Sequence, residues 1–341
     1  MSTKTMKAVR LHAFGGPEVL RYEDAPMPVL RAGEVLVRVC AAGVNPPDWY
    51  LRDGYSALPP DWRPQVELPL IPGTDVSGVV EAVAADVRAF AVGDAVFGMI
   101  RFPGFGGAAY ADYVAAPAFD LAHKPEGIDH ASAAAAPMAL LTAWQFLVDL
   151  GHTHANPFQA APHRPLPLDG RTVLVNGAAG GVGHLALQLA RWKGARVIAV
   201  ASGEHEAFLR AIGADDVIDY TRVAPEQAVR GVDLVLDTVG GPDTGRFLAT
   251  LKPGGALFPV YPLGFDGAEA AARAGLTVSA TQVRSNGTQL AQAARLLAAG
   301  TVKVAIDSSF ALAQAGLAHQ RAARGHLRGK IVLVVSAPGD D

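Results

Sequence analysis

Thr172-Val173-Leu174-Val175-Asn176-Gly177-Ala178-Ala179-Gly180-Gly181-Val182-Gly183 is the stretch whose reading decides the fold. Its opening apolar run, Thr172 to Val175, has the character of a strand buried on both faces of a parallel sheet. Glycines follow at once, at 177, 180 and 183, with Gly181 as an extra. Residues without a Cβ let a phosphate approach backbone N–H groups, and let the next helix lie close against its strand. His184 to Ala190 continues as that helix, and its positive end suits a pyrophosphate. Many glycine clusters are only tight turns, so the surroundings must support the reading. Here they do, because Arg196–Val200, Asp233–Asp237 and Ala256–Val260 read as further strands with helical segments between them. That alternation predicts a doubly wound parallel sheet that binds a dinucleotide.

The choice of dinucleotide turns on the tip of the second strand. An NAD-binding unit places an acidic residue there, about 20 positions past the glycines, to take the ribose 2′-hydroxyl. This chain has Ala201-Ser202-Gly203 instead. No carboxylate at that point repels a 2′-phosphate, and Ser202 can donate a hydrogen bond to one. His205 and Arg210 add positive charge nearby, while Glu204 and Glu206 oppose it. NADP(H) is favoured. The competing reading makes Ser202 the cap of a helix from Gly203 to Ala211, and the two roles are compatible.

A chain of 341 residues is long enough for two domains with their own cores. A net charge of −3 argues against a nucleic-acid partner, which calls for a basic face. With 18% charged and 50% hydrophobic residues the chain is globular and not disordered. Its single cysteine, Cys40, allows neither an internal disulfide nor a multi-thiolate zinc site, and lies in an apolar run as a small buried residue. Met1 to Lys7 is short and polar with no apolar stretch behind it, so no signal peptide is expected. The most apolar segment, Ala131 to Leu150, is interrupted by Pro137 and Asp149 and does not read as a membrane span. A cytoplasmic protein is the expectation.

The N-terminal part is β-rich. Met6–Leu11, Glu34–Val39, Val76–Val83 and Tyr110–Val114 read as strands, Val92 to Gly98 as a turn into another, with glycine and proline turns between them. Ala131–Ala136 and Leu140–Leu150 read as helices, with Pro137 breaking or kinking the run. Gly151 to Leu168 has four prolines and no periodicity, which predicts a solvated surface loop. Its His152, His154 and His163 have no carboxylate or thiol in order nearby, so the metal-site reading is the weaker one. Lys330–Val335 reads as a closing strand that returns to the first domain, after one amphipathic helix. The expected division is residues 1–130 with 306–341, and 131–305 between them.

Several stretches together resemble the medium-chain dehydrogenase/reductase superfamily, in its zinc-free quinone oxidoreductase branch, the zeta-crystallin-like proteins. They are Ala42 to Asp48, Pro72 to Gly78, Val92 to Gly98, Leu141 to Trp144, Val175 to Gly183, Gly213 to Asp215 and Arg328 to Leu333. The likeness runs from about Met6 to Val335 and is specific as a set. It implies an α/β fold, with a GroES-like β-rich domain from both chain ends and a Rossmann domain between, the active site in the cleft. It also implies a homodimer or homotetramer through the outer edge of the Rossmann sheet, which covers an edge strand.

In the zinc-dependent branch a Cys stands where this chain has Asn45, and a His-Glu pair where it has Thr74-Asp75. Neither Asn nor Thr is a plausible zinc ligand, so no metal is expected. Hydride must then go to an acceptor that is already activated, a quinone or an α,β-unsaturated carbonyl compound. The resemblance puts Asn45 beside the nicotinamide ribose and Tyr50 in the cleft as the catalytic candidates. It gives Thr142 to the carboxamide, and the loop of Gly177, Ala179, Gly180, Gly181 and Val182 to the pyrophosphate. Ser202, His205 and Tyr220 match positions around the 2′-phosphate, although many relatives carry Lys in place of His205. Val239, Val260 and Tyr261 match positions that line the nicotinamide.

Plainer readings stand beside these. Tyr50 serves as a wall of the cleft, Asn45 caps the turn before Pro46, and Thr142 caps a helix start. Trp49, Trp62, Phe102 and Phe105 form either an aromatic acceptor pocket or ordinary core. Rival functions are an enoyl-thioester reductase, a non-enzymatic NADPH-binding sensor or scaffold, and a zinc alcohol dehydrogenase.

Overall fold

The computed structural model describes residues 4–154, 159 and 161–335. Strands β1 (Thr5–Leu11) and β2 (Leu20–Pro26) form an antiparallel hairpin. Strand β3 (Glu34–Val44) runs into helix α1 (Pro46–Arg52). Next come β4 (Asp75–Val83), β5 (Ala95–Met99), β6 (Tyr113–Pro117) and β7 (Leu121–His123). Helices α2 (His130–Ala135) and α3 (Pro137–Leu147) lead to β8 (Thr172–Asn176), α4 (Gly183–Trp192), β9 (Arg196–Ala201) and α5 (Glu206–Ala211). The chain continues through β10 (Asp216–Asp219), α6 (Pro225–Ala228), β11 (Val232–Asp237), β12 (Leu251–Pro259), α7 (Ala268–Arg273) and β13 (Thr277–Val278). Helix α8 (Gly287–Ala298), β14 (Ile306–Ala311), α9 (Ala315–Ala323) and β15 (Lys330–Val334) complete it.

Among the described residues, one sheet has six strands, all parallel, in the order β10-β9-β8-β11-β12-β13. The order runs outward from β8 in both directions, as in a doubly wound dinucleotide fold. Alternate side chains explain why these strands are apolar throughout. Val173 and Val175 join the core beneath α3, α4 and α8, while Leu174 joins Ile198, Val200, Val235 and Phe247 on the other face.

The second sheet runs β14-β15-β3-β4-β5-β7, with β6 also paired to β3. Strand β15 lies antiparallel to β3, Ile331 opposite Val44, so the C-terminal strand does return to the N-terminal sheet. The molecule thus joins a GroES-like β-rich unit to a Rossmann sheet. Helix α2 packs on β3, β4 and β15, and α3 on α4 and α8, so this helical pair divides between the two sheets.

Some local expectations need correction. The helical run does break at Pro137, but the second helix starts at that proline and not at Leu140, because the first helical position has no use for the missing N–H. Helix α3 ends at Leu147, and the strand expected from Tyr110 begins at Tyr113, Ala111 making only an isolated bridge to Ala8. Of the expected solvated loop, residues 155–158 and 160 lie outside the described residues. His163 within it is buried, its Nδ1 2.9 Å from Ser279 Oγ and its Nε2 3.0 Å from the Phe146 carbonyl. That carbonyl belongs to the last turn of α3, where backbone acceptors lack helical partners, and the imidazole supplies one.

The helix after the glycine loop packs as closely as the sequence requires. A Cβ on Gly183 would stand 2.2 Å from Gly177 O and 2.8 Å from Ala178 Cα, both backbone atoms. Gly183→Ala is expected to lower the unfolding free energy by about 1–3 kcal/mol in denaturant titrations. Gly180→Ala, whose Cβ would meet only Gly177 O at 3.3 Å, serves as the milder control. Equal midpoints for both variants and the parent would show that the loop yields.

Candidate functional site

A cavity of about 1080 Å³ opens between the two sheets, at the carboxyl ends of the parallel strands where the strand order reverses. This is slightly above the range usual for one small ligand, about 300–1,000 Å³. Gly177, Ala179, Gly180, Gly181 and Val182 line it from the loop after β8. Ser202 and His205 enter after β9, Tyr220 after β10, Val239 after β11, and Val260 and Tyr261 after β12. Asn45 comes from the start of α1, Tyr50 from within it, and Thr142 from α3. Every residue singled out from the sequence therefore faces one space.

The glycine loop is anchored by a group the sequence reading passed over. Asp237, the last residue of β11, accepts from Asn176 Nδ2 at 2.7 Å, so β8 and β11 are tied at the point where they part. The same carboxylate accepts from the N–H groups of Val239 and Gly240 (3.0 and 3.2 Å) and from Thr244 Oγ1 (2.6 Å). Gly177 turns with φ +70°, and a Cβ there would come within 2.6 Å of Thr238 Oγ1. Beyond it, α4 presents its positive end to the cavity.

At the opposite edge, Ser202 makes no side-chain capping bond, so the plain helix-cap role does not hold and its hydroxyl remains available. His205 is buried and lies 3.6 Å from Glu204 Oε1. Arg210 is committed to Glu206 (2.8 Å) and to the Asp215 carbonyl (3.3 Å), and so adds no charge to this edge. One carboxylate does approach, from a strand the sequence reading did not consider. Asp219 Oδ2 lies where a Cβ on Gly203 would be 2.4 Å away. Asp219 accepts from Thr221 Oγ1 at 2.6 Å, pairs with Arg222 at 3.3 Å, and its pKa is lowered, chiefly by the Thr221 bond. Arg246 also lines the cavity, and its buried Nε has no partner among the described residues.

Where α1 meets α3 and β15, a buried polar network stands behind the cavity wall. Asn45 donates from Nδ2 to Asp75 Oδ2 at 3.0 Å and accepts from Lys330 Nζ, which also donates to the Val44 carbonyl at 3.0 Å. The capping role falls to Asp48, which accepts from the Asn45 N–H at 2.8 Å. Tyr110 OH donates to Asp48 at 3.1 Å and lies 3.3 Å from His319 Nε2, while Arg52 lies 3.2 Å from His319 Nδ1. Burial, then Arg52, push His319 down to about 3, so it is neutral and donates to Tyr110. Burial pushes Asp48 up to about 7 and Asp75 up to about 6 against their bonds.

Thr142 is no helix-start cap either. It sits inside α3 and donates to the Met138 carbonyl at 2.7 Å, which leaves its oxygen lone pairs for a donor in the cavity. Burial, then Tyr261 and Asp53, push the Tyr50 phenol up to about 12, so it stays protonated. Its ring lies 6.1 Å from that of Tyr261 and 6.4 Å from that of Tyr55, and Phe105 stands 5.9 Å beyond Tyr55. Trp49, Trp62, Phe102 and Phe105, set aside as ambiguous in the sequence, all line the cavity together with Tyr55.

Two family models match the chain, an alcohol dehydrogenase GroES-like domain over residues 31–126 and a zinc-binding dehydrogenase over residues 212–333. The mitochondrial NAD(P)H oxidoreductase RTN4IP1 of Danio rerio is 31% identical, over 97% of this chain and 91% of its own. The solved quinone oxidoreductase of Coxiella burnetii is 34% identical with a TM-score of 0.86, covering 98% of this chain and 100% of its own. The chain belongs to the medium-chain dehydrogenase/reductase superfamily, in its quinone oxidoreductase branch. A mycobacterial protein solved in complex with NADPH is also similar, at 30% identity and a TM-score of 0.77, over 97% of this chain and 100% of its own. This oxidoreductase acts on a small molecule with a nicotinamide cofactor.

The name of the second model implies zinc, and the residues present do not fit it. Asn45 offers an amide oxygen already engaged by an ammonium, and Thr74 stands where a histidine would be needed. Among the described residues no three of His, Cys, Asp and Glu gather to hold a metal. Nor, among them, is any helix long and apolar enough to cross a membrane.

The raised carboxylates give the oxidoreductase a pH signature. Asp48 and Asp75 titrate in the folded protein near 7 and 6, against 3.8 when exposed. The native state therefore holds protons that the unfolded chain releases, and stability falls as pH rises from about 4 to about 7. Asp48→Asn keeps an acceptor for Tyr110 and for the Asn45 N–H but has no charge to bury. In urea unfolding, its stability difference between about pH 5 and about pH 8 is expected to be smaller than the parent's. An unchanged difference would remove Asp48 as a source.

Proposed function

We propose that this oxidoreductase transfers hydride from NADPH to quinones or α,β-unsaturated carbonyl compounds without zinc. The observation that carries the reading is one cavity, phosphate-suited at one end and aromatic at the other, with no metal-ligand set between them among the described residues. The cofactor supplies the hydride. Backbone N–H groups of Gly180, Gly181 and Val182, in a loop shaped by Gly177 and Ala179, hold its pyrophosphate. Ser202, His205 and Tyr220 surround the 2′-phosphate, and no carboxylate follows β9 directly. Thr142 accepts from the carboxamide NH₂, since its own proton is given to Met138. Val239, Val260 and Tyr261 line the cofactor, and Asn45 meets the nicotinamide ribose.

A quinone or enone lies flat among Tyr50, Tyr55, Phe105 and Tyr261, whose faces suit a planar conjugated acceptor. Hydride added to the conjugated carbon leaves negative charge on the carbonyl oxygen. The Tyr50 hydroxyl, still protonated, donates to that oxygen, and solvent supplies the proton. An enoyl thioester needs the same hydride step, yet its carrier calls for an extended basic groove that these aromatic walls do not offer. The reading includes self-association through the short edge strand β13 and a cytoplasmic location, though the fish relative is mitochondrial.

NADPH oxidation measured with a panel of quinones and enones is expected to show turnover that a chelator does not reduce. Tight NADPH binding without turnover of any acceptor would overturn the acceptor class. Ser202→Asp places a carboxylate against the 2′-phosphate and is expected to raise KM for NADPH at least about tenfold, with NADH little affected. Equal effects on both cofactors would put Ser202 away from that phosphate.

A further inference from the structure

We propose that Lys330 is a cofactor-holding residue, its ammonium donating to an oxygen of the nicotinamide half of the bound dinucleotide while fixing Asn45 beside it. The inference rests on the NADPH reading above. Lys330 opens β15, is only 5% exposed, and still forms part of the cavity wall. An ammonium has three N–H donors. Two are taken among the described residues, by the Val44 carbonyl and by Asn45 Oδ1. The third has no partner among the described residues, and Lys330 lines the cavity.

The charge arrangement points the same way. Asp75 does not bond to the ammonium. Its oxygens take Asn45 Nδ2 and the Met138 N–H, so the carboxylate and the cation are linked only through the Asn45 amide. Burying an ion costs several kcal/mol and a well-packed apolar residue often serves a fold better. A lysine buried in a cavity wall, with Asp75 and Asp48 near it but neither bonded to it, suits a ligand rich in anionic and hydroxyl oxygens. Its location along the cavity narrows the contact. A Cβ on Gly181 would touch Lys330 Cδ at 3.0 Å, and the neighbouring Gly329 N–H donates to the Ala179 carbonyl at 2.8 Å. The lysine stem thus lies along the phosphate loop and its head ends at Asn45, between pyrophosphate and nicotinamide. Asn45, which matches a metal-ligand position of the zinc branch, here accepts from an ammonium.

Fluorescence titrations with NADPH, reduced nicotinamide mononucleotide and 2′,5′-ADP test this, with thermal melting alongside. Lys330→Met is expected to weaken NADPH and the mononucleotide at least about tenfold, as loss of a charged hydrogen bond does, and to leave 2′,5′-ADP unchanged. Lys330→Arg keeps the charge and is expected to recover most of the affinity. If Lys330→Met does not fold, the double variant Lys330→Met with Asp75→Asn removes both charges and carries the same expectation. NADPH affinity unchanged in a folded variant, or 2′,5′-ADP weakened as much as NADPH, overturns the role of Lys330. A parent protein that binds neither NADPH nor 2′,5′-ADP would instead bring down the NADPH reading, and this inference with it.

Discussion

One short piece of backbone, Gly329 and Lys330, ties the two sheets together beside the cavity. The Gly329 N–H reaches across to Ala179 in the phosphate loop, and the Lys330 N–H bonds to the Ala305 carbonyl at 2.9 Å. The Lys330 side chain then crosses to Val44 and Asn45 at the end of β3. A Cβ on Gly329 would stand 2.1 Å from Ala305 O, so only glycine passes there. This contact lies in the wall of the cavity between the GroES-like unit and the Rossmann sheet.

The cavity is chemically graded. Its Rossmann side is backbone N–H, small residues and a helix terminus, which answer to phosphate. Its other side is aromatic, backed by groups that burial has stripped of ordinary acid–base behaviour: a neutral His319, a protonated Tyr50, and carboxylates pushed toward neutrality. Such a wall presents fixed dipoles and little mobile charge, a setting in which oriented hydrogen bonds act strongly.

What the sequence made legible was local. The glycine spacing from 177 to 183, the uninterrupted apolar strands and the returning strand near Lys330 are patterns of period and turn chemistry, which neighbouring residues alone produce. Together with the family resemblance they led to the residues that share the cavity. The polar network escaped, because its partners are remote: Lys330 meets Asn45 across 285 positions, His319 meets Tyr110 across 209, and His163 meets Ser279 across 116. Asp219 escaped differently, since the reading examined the tip of β9 and this carboxylate leans in from β10. Pro137 was legible as the break between two helices, but the second helix was placed too late, since proline begins a helix comfortably.

A cavity walled by two separate sheets also makes its occupant a strut. A dinucleotide spanning the seam touches both units and has no such partner in the unfolded chain. At a free concentration a hundredfold above its dissociation constant, it would deepen the folded well by about 2.7 kcal/mol. On the proposed reading, cofactor supply is thereby written into the lifetime of the whole chain.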